Sequence, residues 1–343
     1  MSLLPPPVPQ HVPVLLDRVL DLLQPAVGVP GAVCVDATLG LGGHSEALLQ
    51  RHPGLRIIGI DRDARALDVS RERLQSFAGR VEFVHAVYDR IEEVLADRGI
   101  DGVHGILFDL GVSSMQLDEP ERGFAYAQAA PLDMRMDATT ELTAADVVNG
   151  YAAPELARIL RDYGEERFAR RIARRILERR TDQPFTSTTD LADVIKAAIP
   201  AATRNPSAGH PAKRSFQALR IEVNGELDAL RAAVPGALRA LRPGGRIVAL
   251  SYHSLEDSIV KQAFTEWATD STPAGLPVAL PSARARLKIL TRGAERAGDE
   301  ETAANPRAKS ARLRAGERID LGTVRAGHGA GHEAGHEEGK ATA

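Results

Sequence analysis

One stretch near the start of the chain, residues 33–45, constrains the fold more than any other. It opens with a short apolar run without polar interruption, which is typical of a buried parallel strand. Gly40, Gly42 and Gly43 follow and allow a tight turn, and residues 45–49 then begin a helix. Strand, glycine turn and helix form the first half of a βαβ unit, whose ligand crevice lies at the carboxyl ends of the strands. The stretch therefore predicts a cofactor site at this turn.

The residues around the turn indicate the class of cofactor. A dinucleotide fingerprint would need a third glycine where Ser45 stands. Asp61 ends the next apolar run, about 20 residues after the glycines, where an acidic side chain can bind a ribose diol. Together these features favour an adenosine-type ligand. For Asp36, two interpretations stay open: it faces a cationic ligand, or it accepts hydrogen bonds from backbone N–H groups of the loop.

Composition excludes several classes of protein. A net charge of −3 over 343 residues gives no sign of nucleic-acid binding by the molecule as a whole. The single cysteine, Cys34, lies in the first strand, which rules out an intrachain disulfide and predicts a buried, inert thiol. No apolar run is long enough to span a membrane, and the Pro-rich start lacks the regions of a signal peptide. We therefore expect a cytoplasmic protein with no membrane partner.

Strand and helix patterns alternate four times over residues 33–111, as expected of βαβ units around a parallel sheet. Between residues 116 and 215 no strand pattern occurs, and helical periodicity recurs over 144–149, 154–163, 165–180 and 190–199. One long amphipathic helix over 216–230 leads to a fifth strand at 246–252. Two final strands, within 284–291 and 311–317, are expected to pair antiparallel at the sheet edge. The sequence thus predicts an α/β sheet with an inserted all-helical domain.

We divide the chain accordingly. The sheet domain comprises residues 11–116 and 216–320, and the helical domain comprises residues 117–215. Residues 1–10 and the tail 321–343 are expected to be disordered, the tail because it is too poor in apolar residues to pack. Its histidines, His328, His332 and His336, lack a folded frame, so we predict no metal site.

The loops after strands one, two, four and five converge on one crevice in a doubly wound sheet. Asp109 ends the fourth strand, and His253 follows the fifth. His253 is either a general base or a strand-end histidine that hydrogen-bonds the backbone. The polar loop over residues 111–137 leaves the crevice directly, which predicts a lid over bound ligand, with a salt-bridged linker as the alternative.

A basic surface is predicted on the segment 165–180. Phe168, Ile172 and Ile176 repeat every four residues, while seven arginines against one acid, Glu178, occupy residues 167–180. Residues 150–215 carry 13 Lys and Arg against 8 Asp and Glu. Arginine suits phosphate contacts and base stacking, so we favour a nucleic-acid surface over an ordinary solvated face. The candidate RNA contacts are Arg135, Arg167, Arg170, Arg171, Arg174, Lys213 and Arg214.

Several motifs, in order along residues 11–318, resemble one family, the bacterial small-subunit ribosomal RNA cytosine-N4 methyltransferases of the MraW/RsmH type. The motifs occupy residues 11–16, 42–45, 109–114, 131–137, 163–168, 216–220 and 253–257. The resemblance implies a Rossmann-like class I methyltransferase sheet with an inserted all-helical domain for the RNA. It further implies S-adenosyl-L-methionine as cofactor. The implied substrate is the exocyclic N4 of a cytosine in the decoding region (P site) of 16S rRNA, as free RNA or in the 30S particle.

The resemblance also assigns the site residue by residue. The implied cofactor contacts are Gly42, Gly43, His44, Asp61, Tyr88, Asp109 and Gln116. Cytosine N4 is a poor nucleophile, so catalysis needs an acceptor that holds its N–H and aligns it. Asp109 is our first candidate for that acceptor, and His253 and Glu256 are weaker ones. The amine-binding D/N/S-P-P-aromatic motif of many amino-methyltransferases is replaced here by residues 109–112, so its role assignment does not transfer.

Two alternatives belong to other classes of protein. A nicotinamide-dependent dehydrogenase is disfavoured by Ser45 in place of the third glycine. A non-catalytic RNA-binding factor for ribosome assembly would keep the fold without the reaction. The sequence leaves the oligomeric state open, a homodimer included.

Overall fold

In the computed structural model, residues 12–203, 209–271 and 284–320 are described. The first half of the sheet is built from α1 (Leu16–Val27), β1 (Val33–Asp36), α2 (Gly43–Arg51), β2 (Arg56–Asp61), α3 (Ala64–Arg73), β3 (Val81–His85), α4 (Ile91–Ala96) and β4 (Val103–Asp109). Next come the helices α5 (Ser114–Asp118), α6 (Ala144–Gly150), α7 (Ala153–Asp162), α8 (Ala169–Asp182), α9 (Thr188–Ala198) and α10 (Lys213–Asn224). The remaining elements are α11 (Glu226–Ala240), β5 (Leu241–Ser251), α12 (Ser254–Ala268), β6 (Leu287–Ile289), α13 (Asp299–Ala304) and β7 (Arg312–Arg318).

The seven strands form one sheet in the order β3-β2-β1-β4-β5-β7-β6. The first five strands are parallel, whereas β7 runs antiparallel to both β5 and β6. The strand order reverses between β1 and β4, and the carboxyl ends of these two strands flank the crevice where such sheets bind ligands. The predicted Rossmann-like sheet and its antiparallel edge are confirmed.

The apolar run in β1 is buried on both faces of the sheet, which explains its lack of polar residues. Val35 packs on one face with Ile106 of β4, while Cys34 packs on the opposite face with Leu107. Burial raises the pKa of the Cys34 thiol, so it stays protonated and inert as predicted.

The helical insert has a core of its own. Residues of α6–α9 pack there with the loop residues Phe124, Leu132, Met134 and Met136. The predicted helix over 165–180 begins later, at Ala169. Glu165 lies in the left-handed region (φ 49°), so an α-helix cannot include it. Within α8, Ile172 and Ile176 are fully buried, as their spacing predicts.

The predicted single helix over 216–230 is wrong. Gly225 adopts φ 58°, ends α10 and begins α11. Phe216 and Leu219 of α10 pack in the core of the helical insert, whereas Leu230 of α11 packs against the sheet. The apolar spacing continues across the break although the two helices pack against different cores. The domain boundaries remain a prediction. Helix α10, most of which the prediction assigned to the sheet domain, packs in the core of the helical insert.

The predictions of disorder for residues 1–10 and 321–343, and the tail histidines, lie outside the described residues. Within the described ranges, no helix is long and apolar enough to cross a membrane. The same ranges contain no group of three side chains arranged to hold a metal ion.

Candidate active site

A cavity of about 440 Å³ opens at the carboxyl ends of β1, β2, β4 and β5. Its walls come from the glycine turn, the ends of β2 and β4, the start of the polar loop after β4, and α10. Six of the seven predicted cofactor contacts line it: Gly43, His44, Asp61, Tyr88, Asp109 and Gln116. His253, Lys213 and the loop residues Phe124, Tyr126, Met134 and Met136 complete the enclosure. The loop after β4 thus forms part of the cavity wall, as the lid hypothesis requires.

The glycine turn rests on a buried carboxylate. Asp36 accepts hydrogen bonds from Ser45 Oγ at 2.7 Å and from the Thr38 backbone N–H at 3.3 Å. It is only 2% exposed and does not line the cavity, and burial raises its pKa. Of the two interpretations of Asp36, the structural one therefore holds. The hydroxyl of Ser45 also explains this residue at the position of the third glycine, because it anchors the turn to β1.

The N-terminal segment lies directly against this turn. A Cβ at Gly43 would stand 2.6 Å from Pro13 Cγ, so only glycine permits the approach. The Val14 carbonyl accepts a hydrogen bond from His44 Nε2 at 3.1 Å. Glu301 Oε1 accepts from the Leu15 N–H at 2.6 Å and holds the segment from the C-terminal side. Gly42, a predicted cofactor contact, directly precedes α2 with φ 77° and does not line the cavity.

Asp61 ends β2 and faces the cavity. Its Oδ2 accepts the Gly40 N–H at 2.7 Å and its Oδ1 accepts the Asp63 N–H at 2.8 Å. Burial raises the pKa of Asp61 to about 6, against the lowering effect of these two hydrogen bonds. Each carboxylate oxygen retains a lone pair, which suits the two hydroxyls of a ribose.

Two further predicted cofactor residues are fixed by their own contacts. The Tyr88 ring packs edge-on against Phe108 with centroids 5.7 Å apart, and its hydroxyl donates to the Glu226 carbonyl at 3.3 Å. Gln116 accepts the Ser113 N–H at 3.1 Å and donates to Asp63 Oδ2 at 2.9 Å. Both side chains therefore present rigid surfaces to the cavity.

Asp109, at the end of β4, is held from two sides. Its Oδ1 accepts the Tyr252 hydroxyl at 2.7 Å, and its Oδ2 lies 3.5 Å from His44 Nδ1. The Asp109 N–H donates to Thr38 Oγ1 at 2.6 Å, which fixes the backbone as well. The sequence predicted a strand ending at residue 252 but no role for Tyr252, because its pairing with Asp109 spans 143 positions.

His253 and Glu256 form the cap of α12. His253 Nδ1 accepts the Glu256 N–H at 3.4 Å, so this imidazole does hydrogen-bond the backbone. Glu256 Oε2 accepts the N–H groups of Tyr252 at 2.8 Å and His253 at 3.2 Å. Burial would raise the pKa of Glu256, but the contact with His253 and the charge of Arg220 lower it. Glu256 does not line the cavity and instead organises the loop behind it.

A second cleft of about 500 Å³ adjoins the cavity on the side of the helical insert. Lys213, Gln217 and His253 line both spaces. Its other walls include Glu165, Arg167, Phe168, His210 and Arg214. The Glu165 carboxylate accepts the Ser254 hydroxyl and joins the insert to the start of α12. A ligand in the first cavity is thus reached from a cleft with a basic rim.

Residues 9–319 match the sequence model of the MraW methylase family. The chain belongs to this family. It is 63% identical over 312 residues to the ribosomal RNA small subunit methyltransferase H of Thermobifida fusca, covering 91% of this chain and 94% of the relative. The proteins of the same name from Nocardia farcinica and Acidothermus cellulolyticus are 57% and 59% identical over 314 residues each, covering 91% and 92% of this chain and 97% and 95% of theirs. The family predicted from the motifs is confirmed.

The basic face of this MraW methylase is divided between free and engaged arginines. Arg170, Arg171 and Arg174 are exposed and form no ion pair within the part of the chain that the structure describes. Arg167 is exposed too, over the ring of Phe168. The other three arginines of α8 are bound elsewhere: Arg175 to Glu178, Arg179 to Asp190, and Arg180 to the carbonyls of Val148 and Tyr151. The four candidate RNA contacts on this segment are therefore the available ones.

Arg135 differs from the other candidate RNA contacts. Its guanidinium donates to both carboxylate oxygens of Asp133, at 2.9 and 2.6 Å, and to the Thr140 carbonyl at 2.7 Å. These contacts indicate a residue that shapes its own loop. Arg122, which sequence reasoning left without a role, does the same by pairing with buried Asp63 at 2.8 Å.

Proposed function

We propose that this chain transfers a methyl group from S-adenosyl-L-methionine to the exocyclic N4 of a cytosine in the decoding region (P site) of 16S rRNA. One observation carries the proposal: the Asp109 carboxylate faces the cavity and is held at Oδ1 by Tyr252. A fixed acceptor at this point can orient an amine whose lone pair is delocalised into the base.

The residues around the cavity fit the cofactor. Asp61 has lone pairs for a ribose diol, the turn from Gly40 to His44 offers close backbone approach, and the fixed ring of Tyr88 offers an apolar face to a purine. When bound, S-adenosyl-L-methionine supplies an electrophilic methyl group on a sulfonium. The family and the names of the relatives support the same cofactor.

In the reaction, Asp109 performs two tasks. It accepts a hydrogen bond from the target amine, and it thereby fixes the direction of the lone pair on the amine nitrogen. Covalent attack on the base carbon is not open to this chain, since its single cysteine is buried in β1 with a raised pKa. The reaction therefore depends on alignment and on an acceptor for the amine proton.

The RNA reaches the site through the second cleft. Arg167, Lys213 and Arg214 line this cleft, and Arg170, Arg171 and Arg174 extend the basic surface along α8. A base within folded RNA must be splayed out to enter the cavity. A cytoplasmic location, the 30S particle as substrate and a homodimer remain predictions.

Methyl transfer onto RNA from cells that lack this protein tests the proposal. We expect label from the methyl-labelled cofactor to enter one cytosine of the small-subunit RNA, located by mass spectrometry of RNA fragments. No incorporation by the wild-type protein would favour the assembly factor without a reaction. Calorimetry with S-adenosylhomocysteine and with NAD distinguishes a methyltransferase from the dehydrogenase alternative. We expect S-adenosylhomocysteine to bind and NAD not to bind.

A further inference from the structure

The guanidinium of Arg220, on α10, is held rigidly at the cavity wall. Its Nε and Nη2 donate to Glu226 Oε1 and Oε2, both at 2.9 Å. The two side chains are 15% and 7% exposed, so this ion pair is largely buried, and Arg220 also lines the cavity. Such two-point pairing fixes the plane of the guanidinium and leaves one nitrogen, Nη1, outside the pair.

Nη1 is a hydrogen-bond donor that the described residues leave unused. None of them accepts a hydrogen bond from it, and it is not sealed from solvent, so it opens on the cavity. Burial would lower the pKa of Arg220, but the charges of Glu226 and Glu256 raise it, and the guanidinium keeps its hydrogens. A buried ion pair is often no more stabilising than apolar side chains of similar size. A fixed pair with a spare donor at a cavity wall therefore points to a ligand.

Arg220 stands between two sides of the candidate site. On one side, the Tyr88 hydroxyl donates to the backbone carbonyl of Glu226 at 3.3 Å. On the other side, the charge of Glu256 acts on Arg220, and Glu256 Oε2 accepts the N–H of Tyr252 at 2.8 Å. The Tyr252 hydroxyl in turn holds the proposed acceptor of the target amine. A base held by that acceptor therefore lies on the side of the cavity that Arg220 also lines.

The charges around Arg220 select the kind of group that Nη1 can bind. Two carboxylates, Glu226 and Glu256, act on this one guanidinium. A further anion, such as a phosphate or the carboxylate of the cofactor, would therefore meet net negative charge. A neutral carbonyl oxygen accepts a hydrogen bond without that repulsion. Cytosine offers one on its Watson–Crick edge, where the amine lies at one end and the O2 carbonyl at the other.

We propose that Arg220 Nη1 donates a hydrogen bond to the O2 carbonyl of the target cytosine, while Asp109 holds the amine at the other end of the same edge. This inference rests on the proposed function and deepens it, because it names a residue that recognises the base. Contacts at both ends of one edge fix the base in its plane and direct the amine. Adenine carries a similar amine but no carbonyl at the far end of that edge, so Arg220 favours cytosine.

Exchange of one atom in the RNA tests this contact. Sulfur accepts hydrogen bonds more weakly than oxygen, so 2-thiocytidine at the methylated position of small-subunit RNA weakens the contact and keeps the amine. With the wild-type protein, we expect kcat/KM to fall at least about tenfold, as for loss of a charged hydrogen bond. Arg220→Met combined with Glu226→Gln leaves no unpaired buried charge. In this double variant the two RNAs should react at equal rates, both slower than cytosine RNA with wild type.

Three further measurements separate base recognition from a structural role. In calorimetry, the double variant should bind S-adenosylhomocysteine with the wild-type Kd. Arg158→Met removes the exposed arginine that pairs with Glu222 of α10 at 3.5 Å, and this matched control should keep the wild-type discrimination between the two RNAs. Arg220→Lys keeps a positive charge beside Glu226 but lacks the planar fork, so it should discriminate less than wild type.

Three results would overturn the inference. The first is an equal rate of the wild-type protein on the two RNAs, a comparison that needs no variant to fold. The second is full discrimination in the double variant or in Arg220→Lys. The third is a loss of S-adenosylhomocysteine affinity that matches the loss of kcat/KM, which would make Arg220 a cofactor-binding residue. In each case methylation of the cytosine RNA by wild type still upholds the proposed function, whereas its absence would make the proposed function itself fail.

Discussion

The guanidinium of Arg62 donates to the backbone carbonyl of Asn224 at 2.7 Å and so ties the end of β2 to the end of α10. Arg62 follows Asp61, which lines the cavity, and Asn224 ends α10, the helix that forms another part of the cavity wall. The Asn224 side chain in turn donates to the Met134 carbonyl at 2.8 Å and accepts the Met136 N–H at 2.7 Å. Asn224 thus links the end of β2, the helical insert and the loop after β4.

Arg62→Met should loosen this junction. A charged hydrogen bond to a partly buried carbonyl contributes about 1.5–3 kcal/mol, so urea unfolding should show a loss of that order. Hydrogen exchange should also rise at the C-terminal end of α10. Arg65→Met, which removes the exposed pair with Glu119, is the matched control, with an expected change below about 1 kcal/mol. Equal losses in both variants would contradict the role given to Arg62.

The raised pKa of Asp61 predicts a pH-dependent effect on stability. Because the folded-state pKa of about 6 lies above the usual value, Asp61 favours folding at low pH, and this contribution disappears as the pH rises through 6. The melting temperature of cofactor-free Asp61→Asn, measured relative to wild type, should therefore be higher at pH 7.5 than at pH 4.5. Thermal unfolding of both proteins at the two pH values measures it. An effect of equal size at both would show that Asp61 titrates normally.

Cofactor and RNA binding should respond to different substitutions. Asp61→Ala should weaken S-adenosylhomocysteine binding in calorimetry by at least about tenfold, as expected for loss of a charged hydrogen bond. Arg170→Glu with Arg174→Glu should leave that affinity intact and weaken binding to small-subunit RNA, with a shallower salt dependence. Arg231→Glu, an exposed arginine of α11, is the control for the charge change. Equal losses in both assays from both variants would contradict the division of labour between sheet and insert.

Gly43→Ala should disturb the contact between the glycine turn and the N-terminal segment. The added Cβ would stand 2.6 Å from Pro13 Cγ, so the segment must move away from His44. Overpacking of this kind destabilises by about 1–3 kcal/mol, and we expect weaker S-adenosylhomocysteine binding as well. At Gly79, where a Cβ meets no atom within 4 Å, the same substitution should be neutral. Urea unfolding and calorimetry on both variants provide the test.

Local features of the chain were predicted correctly where the physics is local. The uninterrupted apolar run of β1 indicated burial on both faces of the sheet. The glycine turn together with Asp61 indicated a ligand crevice. The alternation of strands and helices established the sheet, and the spacing in α8 identified its buried stripe. The break at Gly225 was missed because the apolar pattern runs on across it, although glycine itself was a signal for a helix end.

The sequence by itself determined the family, the sheet, and six of the seven predicted cofactor contacts that line the cavity, because these follow from periodicity, turn chemistry and motifs. Only the tertiary structure decided what each polar side chain does there. It turned Asp36 inward onto Ser45, placed Glu256 behind the cavity, and bound Arg135 to its own loop. It also brought Tyr252 and His44 onto Asp109. Such pairings depend on how distant segments pack, and contacts between residues 143 positions apart leave no trace in local sequence.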